Sequence, residues 1–188
     1  MVMATEVRQR RFTADEYMRM VEVGILDEDD HVELLDGRIV EMGPQGDAHV
    51  ATIEHATEAL VPAYAGSGYA VRVQSTHRAG TYSVPEPDLV VVPRRTNRVL
   101  DVAQSLLVIE VSDTSRARDT KLKRRLYAEA GAPRYWIVDI PERRVLMLSG
   151  PQDGDYRHDE VVAEDGILTL PVVGAAIRAA EVLPAPTA

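Results

Sequence analysis

Two carboxylates mark the ends of two apolar runs in this chain, and an ammonium group follows them. Asp88 opens the run Asp88-Leu89-Val90-Val91-Val92, and Glu110 lies near the close of Leu106-Leu107-Val108-Ile109-Glu110-Val111-Ser112. Lys123 follows in a charged stretch that carries Asp119 and Tyr127 four residues to either side. An acid inside a hydrophobic strand is costly unless something compensates its charge. One divalent cation would compensate both acids at once. Oxygen ligands without a thiol favour a hard cation such as Mg2+, with Mn2+ as a substitute. Such a cation polarises a phosphoryl oxygen and acidifies a bound water, and a nearby lysine steadies the charge that builds on the phosphate or positions the water. These residue types suit metal-assisted phosphodiester hydrolysis. The structural alternative is a buried ion-pair network made of the same two acids and lysine.

The elements that must position these groups are legible from periodicity. Both apolar runs are short, β-branched and bounded by Pro or polar residues, so they read as buried strands. If they pair antiparallel, the start of one lies beside the end of the other, and the two acids meet. The period of two places Asp88, Val90 and Val92 on one face, and Leu106, Val108, Glu110 and Ser112 on one face. A helix is expected over 118–130, ended by Gly131 with Pro133 beyond. Asp119, Lys123 and Tyr127 share a face of it, whereas Lys121 and Arg125 form a separate row that reads as solvated.

Other elements frame the crevice. Thr13 and Glu16 form a capping-box pattern for a helix over 14–23. Residues 32–41 read as a hairpin turning at Asp36-Gly37 in a type I′ turn. Glu33 on its first strand suits an exposed edge or an accessory place in the site equally. Asp47 caps an expected helix over 48–65, and His49 in its first turn could reach the site, although a place outside it is the ordinary reading. Residues 69–76 alternate as a half-buried strand, which brings Gln74 towards the crevice of Asp88. Residues 135–139 read as another buried strand, 143–148 and 156–162 as a hairpin, and 167–170 as a short strand. The order predicts a mixed α/β (α+β) domain, with a central mixed sheet flanked by helices and with N- and C-terminal hairpins. One domain is expected over 1–188, with a core of about 12–183 and a mobile Pro- and Ala-rich tail after Val182.

Composition narrows the partners. The 188 residues are 45% hydrophobic and 27% charged, which is ordinary for a globular protein. There is no Cys, so disulfides and thiolate metal sites are excluded. No apolar run reaches the length of a membrane span and no apolar signal core opens the chain, so a cytoplasmic protein is expected. The formal net charge of −9 argues against a strong non-specific nucleic-acid binder. Two basic clusters nevertheless flank the acidic pair. Arg94, Arg95 and Arg98 on one side, with Arg116 and Arg118 on the other, are the candidate phosphate contacts of a basic rim. A solvated face is the ordinary reading of either cluster alone.

Pro87-Asp88 followed by Glu110-Val111-Ser112 resembles the PD-(D/E)XK nuclease superfamily. More narrowly, Glu110 through Ser112, Asp119, Lys123, Tyr127, Gly131 and Tyr135-Trp136-Ile137-Val138-Asp139 resemble a large bacterial family of candidate restriction endonucleases. Glu33-Leu34-Leu35-Asp36-Gly37 and Val71-Arg72-Val73-Gln74 fit that family too, and the resemblance runs from about Arg11 to Leu183. It departs from the superfamily at Ser112, where a Lys is expected, and Lys123 on the helix matches the family's relocated Lys. The resemblance implies a restriction-endonuclease-like fold, Mg2+ dependence and DNA as substrate. On this reading Asp88, Glu110 and Lys123 are catalytic, and Asp88, Glu110 and the carbonyl of Val111 hold the metal. Glu33, Gln74, Asp119 and Tyr127 are accessory. Cleavage of both strands asks for two sites, so a homodimer is expected. Two other readings stand beside it. A catalytically silent nuclease-fold binding or assembly module is favoured by Ser112 and the acidic balance. Hydrolysis of a small phosphodiester or nucleotide would also explain the negative charge.

Overall fold

Capping and turn chemistry shape the N-terminal part of the chain. In this computed structural model, residues 9–27, 29–94, 99–113 and 117–185 are described, with the backbone alone for 117–120. Helix α1 spans Ala14–Glu22. Thr13 caps it: its hydroxyl accepts the Glu16 N–H at 3.2 Å, and the Glu16 carboxylate accepts the Thr13 N–H at 2.9 Å. Strands β1 (Val32–Leu35) and β2 (Arg38–Glu41) form a hairpin. Asp36 and Gly37 both take positive φ, 51° and 77°, as a type I′ turn requires. This part has its own small core of Ala14, Tyr17, Leu34 and Val84.

Helix α2 runs Asp47–Ala63. Its N-cap is Gly46 rather than Asp47, so the helix starts a residue earlier than expected. Asp47 instead sits in the first turn, where a negative charge suits the positive end of the helix dipole. Strand β3 (Tyr69–Val73) follows, then the short β4 (His77–Arg78), β5 (Leu89–Pro93), the short β6 (Leu100–Asp101) and β7 (Leu107–Ser112). Helix α3 (Ala117–Glu129) crosses to β8 (Arg134–Asp139), and Gly131 at φ 79° ends it. Strands β9 (Arg144–Gln152) and β10 (Asp155–Ala163) make a hairpin, and β11 (Ile167–Thr169) pairs with β12 (Ala176–Arg178). The parallel β4–β6 pair falls where the sequence predicts no element; each partner is too short to carry a period.

Among the described residues, the main sheet has six strands in the order β10-β9-β8-β7-β5-β3. It is mixed: β7 and β8 run parallel, because α3 connects them as a crossover, and the other neighbours are antiparallel. Alternation sorts the strand residues onto two faces. Leu89, Val91, Leu107, Ile109 and Val111 pack with Ile53, Ala56 and Leu60 of α2. Val90, Val92 and Val108 pack with Tyr127 and Ala128 of α3. Fully burying each such side chain is worth roughly 1.5–3 kcal/mol. The tail expected to be mobile begins with Leu183 and Pro184 buried beside Val182. Arg143 donates to the Pro184 carbonyl at 3.1 Å, and a ring nitrogen of His55 meets the Leu183 carbonyl at 2.8 Å. Residues 186–188 of that tail lie outside the described residues. Among the described residues, no helix is long and apolar enough to cross a membrane.

Candidate active site

The antiparallel register of β5 and β7 pairs Leu89 with Ile109. One step further along the same register sets Asp88 opposite Glu110. Opposed residues in an antiparallel pair point to one side, so the two acids meet at this end of the sheet as their spacing implies. Asp88 is buried, and both its oxygens are engaged. Oδ2 accepts the Val111 N–H at 2.8 Å, and Oδ1 lies 3.1 Å from His49 Nε2 in the first turn of α2. A carboxylate oxygen only accepts, so Nε2 carries the hydrogen of that bond. The backbone of Gln74 adds support: its N–H donates to the Asp88 carbonyl at 3.0 Å, and its φ of 44° marks a tight bend just past β3. The Gln74 side chain itself is exposed.

Glu110 and Lys123 form the other half of the site. Lys123 Nζ lies 3.1 Å from Glu110 Oε1 and 3.2 Å from Glu33 Oε2, with all three residues at most 8% exposed. Tyr127 donates to Glu110 Oε1 at 2.6 Å. Glu33 Oε2 also accepts the Glu86 N–H at 3.3 Å, so the N-terminal hairpin delivers a carboxylate into the site. Lys121 is exposed, as its separate row on the helix implies. Arg125 of that row is also exposed and makes a long ion pair of 3.6 Å to Asp36.

Charge is unbalanced in this cluster. Burial pushes the Glu110 carboxyl up to about 8, against the pull of Lys123, and Asp88 and Glu33 push the same way. Burial likewise raises the pKa of half-buried Glu86, helped by Glu33 and Asp88. Burial would lower the Lys123 ammonium, but Glu110, Glu33 and Asp88 more than offset it and hold its pKa above the ordinary value. Glu33, Glu86, Asp88 and Glu110 thus share the field of Lys123. An excess of acids over bases among the buried residues fits a hard divalent cation as donor chemistry. Among the described residues, however, no group of three or more His, Asp or Glu side chains is already arranged to hold a metal ion.

The remaining candidates are distributed unevenly. Asp119 lies one turn before Lys123 on α3, within the stretch described by backbone alone. Arg118 shares that stretch, and Arg95, Arg98 and Arg116 lie outside the described residues. Arg94 follows the far end of β5 from Asp88, about 20 Å along an extended chain, and its guanidinium donates to the Tyr69 carbonyl at 3.0 Å. Arg94 therefore does not rim this crevice, because the strand that carries Asp88 leads it away. Glu86 was missed from the sequence, where it sits between Pro85 and Pro87 with no period to give it a direction. His49 had only its place in a first helical turn to mark it.

The chain belongs to the Uma2 family, described as "Putative restriction endonuclease", whose model matches residues 14–181. A crystal structure from Anabaena variabilis, described as "a putative nuclease belonging to DUF820", superposes with a TM-score of 0.72 at 17% identity, covering 91% of this chain and 97% of that one. At that identity the likeness establishes a shared fold. The type IIG restriction endonuclease BpuSI overlaps loosely, with a TM-score of 0.39 at 16% identity over 73% of this chain and 15% of that one, and carries no argument here. None of the curated proteins matches the sequence.

Proposed function

We propose, from this family and this cluster, that the protein is a Mg2+-dependent DNA endonuclease, with Mn2+ as a substitute. The observation behind the reading is the meeting of Asp88 and Glu110 at one strand end, with more buried acid than base around Lys123. Asp88, Glu110 and the Val111 carbonyl would hold the cation. Bound there, it would supply polarisation of a phosphoryl oxygen and a more acidic water. Lys123 brings a fixed positive charge to the attacked phosphate or orients the water. Glu33 keeps Lys123 anchored when Glu110 turns to the cation, and Tyr127 keeps Glu110 oriented. Asp119 and Gln74 would be accessory, Gln74 through its backbone hold on Asp88. DNA as substrate rests on the family description. A cytoplasmic homodimer would place two such sites on two strands, and Arg116 and Arg118 would give any DNA affinity a salt dependence.

The other reading, a nuclease-fold module that binds or assembles without catalysis, is the better supported of the two by the closed state of the cluster. Lys123 is already paired to two carboxylates, both Asp88 oxygens are engaged, and no ready-made metal group exists among the described residues. Plasmid nicking in Mg2+ and Mn2+, with Asp88→Asn and chelator as controls, separates the two. Nicking by the wild type that both controls abolish supports the enzyme. Metal binding with no cleavage of any DNA form supports the module.

A further inference from the structure

We propose that His49 is the residue that positions Asp88 for a divalent cation, a role that rests on the metal-site reading above. His49 is fully buried, in the first turn of α2, although that helix packs on the sheet face opposite α3. Its ring nevertheless reaches the end of β5, where Nε2 lies 3.1 Å from Asp88 Oδ1. The Val111 N–H holds Oδ2 at 2.8 Å from the other side. The carboxylate is therefore fixed at two points, one from a helix and one from the neighbouring strand. Each oxygen of an ionised carboxylate has two acceptor directions. One bond to each leaves a further direction on each oxygen for a cation. His49 thus fixes the carboxylate plane without consuming the ligand.

The alternative, with His49 itself a ligand, would require Nε2 to release its hydrogen and turn from Asp88. Hydrogen-bonded partners of ligating carboxylates typically contribute 10–100-fold to metal affinity. Gln can present an amide donor close to the position of Nε2, whereas Leu fills similar space with no donor.

The test is calorimetric titration of Mn2+ into the wild-type protein, His49→Leu and His49→Gln, with thermal unfolding of each. His49→Leu should weaken Mn2+ binding by about 10–100-fold, and His49→Gln should restore it to within a few-fold. Equal affinity of His49→Leu and wild type overturns the proposal. Failure of the wild type to bind any divalent cation overturns the metal site itself and the proposal with it. If His49→Leu does not fold, nitrogen NMR of the wild-type imidazole decides. The Nε2-bound hydrogen should persist on adding Mg2+, and its loss would make His49 a ligand and contradict the positioning role.

Discussion

Two ion pairs in this protein involve a glutamate beside a cation, yet they differ in kind. Arg143 clasps Glu164 through two nitrogens and also the Pro184 carbonyl, on the surface near the C-terminal tail. The hydrogen bonds from Arg143 hold Glu164 below the ordinary carboxylate range. Glu110 has the Lys123 ammonium at 3.1 Å, and yet burial carries its carboxyl up to about 8. The first arrangement matches one acid to one base in contact with water. The second places several acids around one ammonium among buried residues. A balanced surface pair ties down a chain end, whereas an unbalanced buried cluster stays costly until something else enters it.

The sharpest way to break this contrast is to remove each cation. Lys123→Ala should cost about 3–5 kcal/mol, because it leaves the buried carboxyl groups of Glu33 and Glu110 without their cation. Urea unfolding would show it, and a cost no larger than that of Arg143→Ala would erase the distinction. In single-turnover cleavage, the same change should reduce the rate more than the metal affinity.

Next in size is the pH dependence. The folded-state pKa of Glu110 lies above its unfolded value of about 4.3, so its contribution to stability is full below that value. It is lost as pH rises through about 8. Metal-free wild type should therefore lose stability relative to Glu110→Gln between pH 5 and 8. Glu164, lowered by its partner, runs the other way: its contribution is present at neutral pH and is lost as pH falls through its depressed pKa. Parallel pH profiles for Glu110→Gln and Glu164→Gln would contradict the account. A smaller effect belongs to Tyr127→Phe, which removes the 2.6 Å bond to Glu110 and should cost about 1–3 kcal/mol. Smallest is Lys121→Ala on the exposed row, expected within about 0.5 kcal/mol of wild type.

The sequence made Asp88, Glu110 and Lys123 legible because strand and helix periods assign each a face. The meeting of Asp88 and Glu110 needed only an antiparallel register. The bond from Tyr127 to Glu110 follows from the same helical row. What the periods could not give is contact across elements far apart in sequence. Whether Glu33 reaches Lys123 depends on how the N-terminal hairpin docks through Leu34 and Val84, and the hairpin pattern is the same either way. His49 reaches Asp88 only because α2 starts at the sheet end where β5 begins. Arg94 illustrates the reverse error: nearness in sequence to Asp88 became distance, because a strand separates them. Asp88→Ala would also disturb the fold. That change would leave the buried Val111 N–H without its acceptor, so Asp88→Asn is the cleaner probe.

The central claim is that the unbalanced cluster takes a divalent cation through Asp88 and Glu110. The most direct test is titration of Mg2+ at pH 7 in two buffers of different ionisation enthalpy, for wild type and Asp88→Asn. A cation that binds Glu110 must displace the proton that burial keeps there. The account predicts binding by the wild type with proton release, and much weaker binding by Asp88→Asn. Binding of equal strength by both proteins, or binding without proton release, would contradict it.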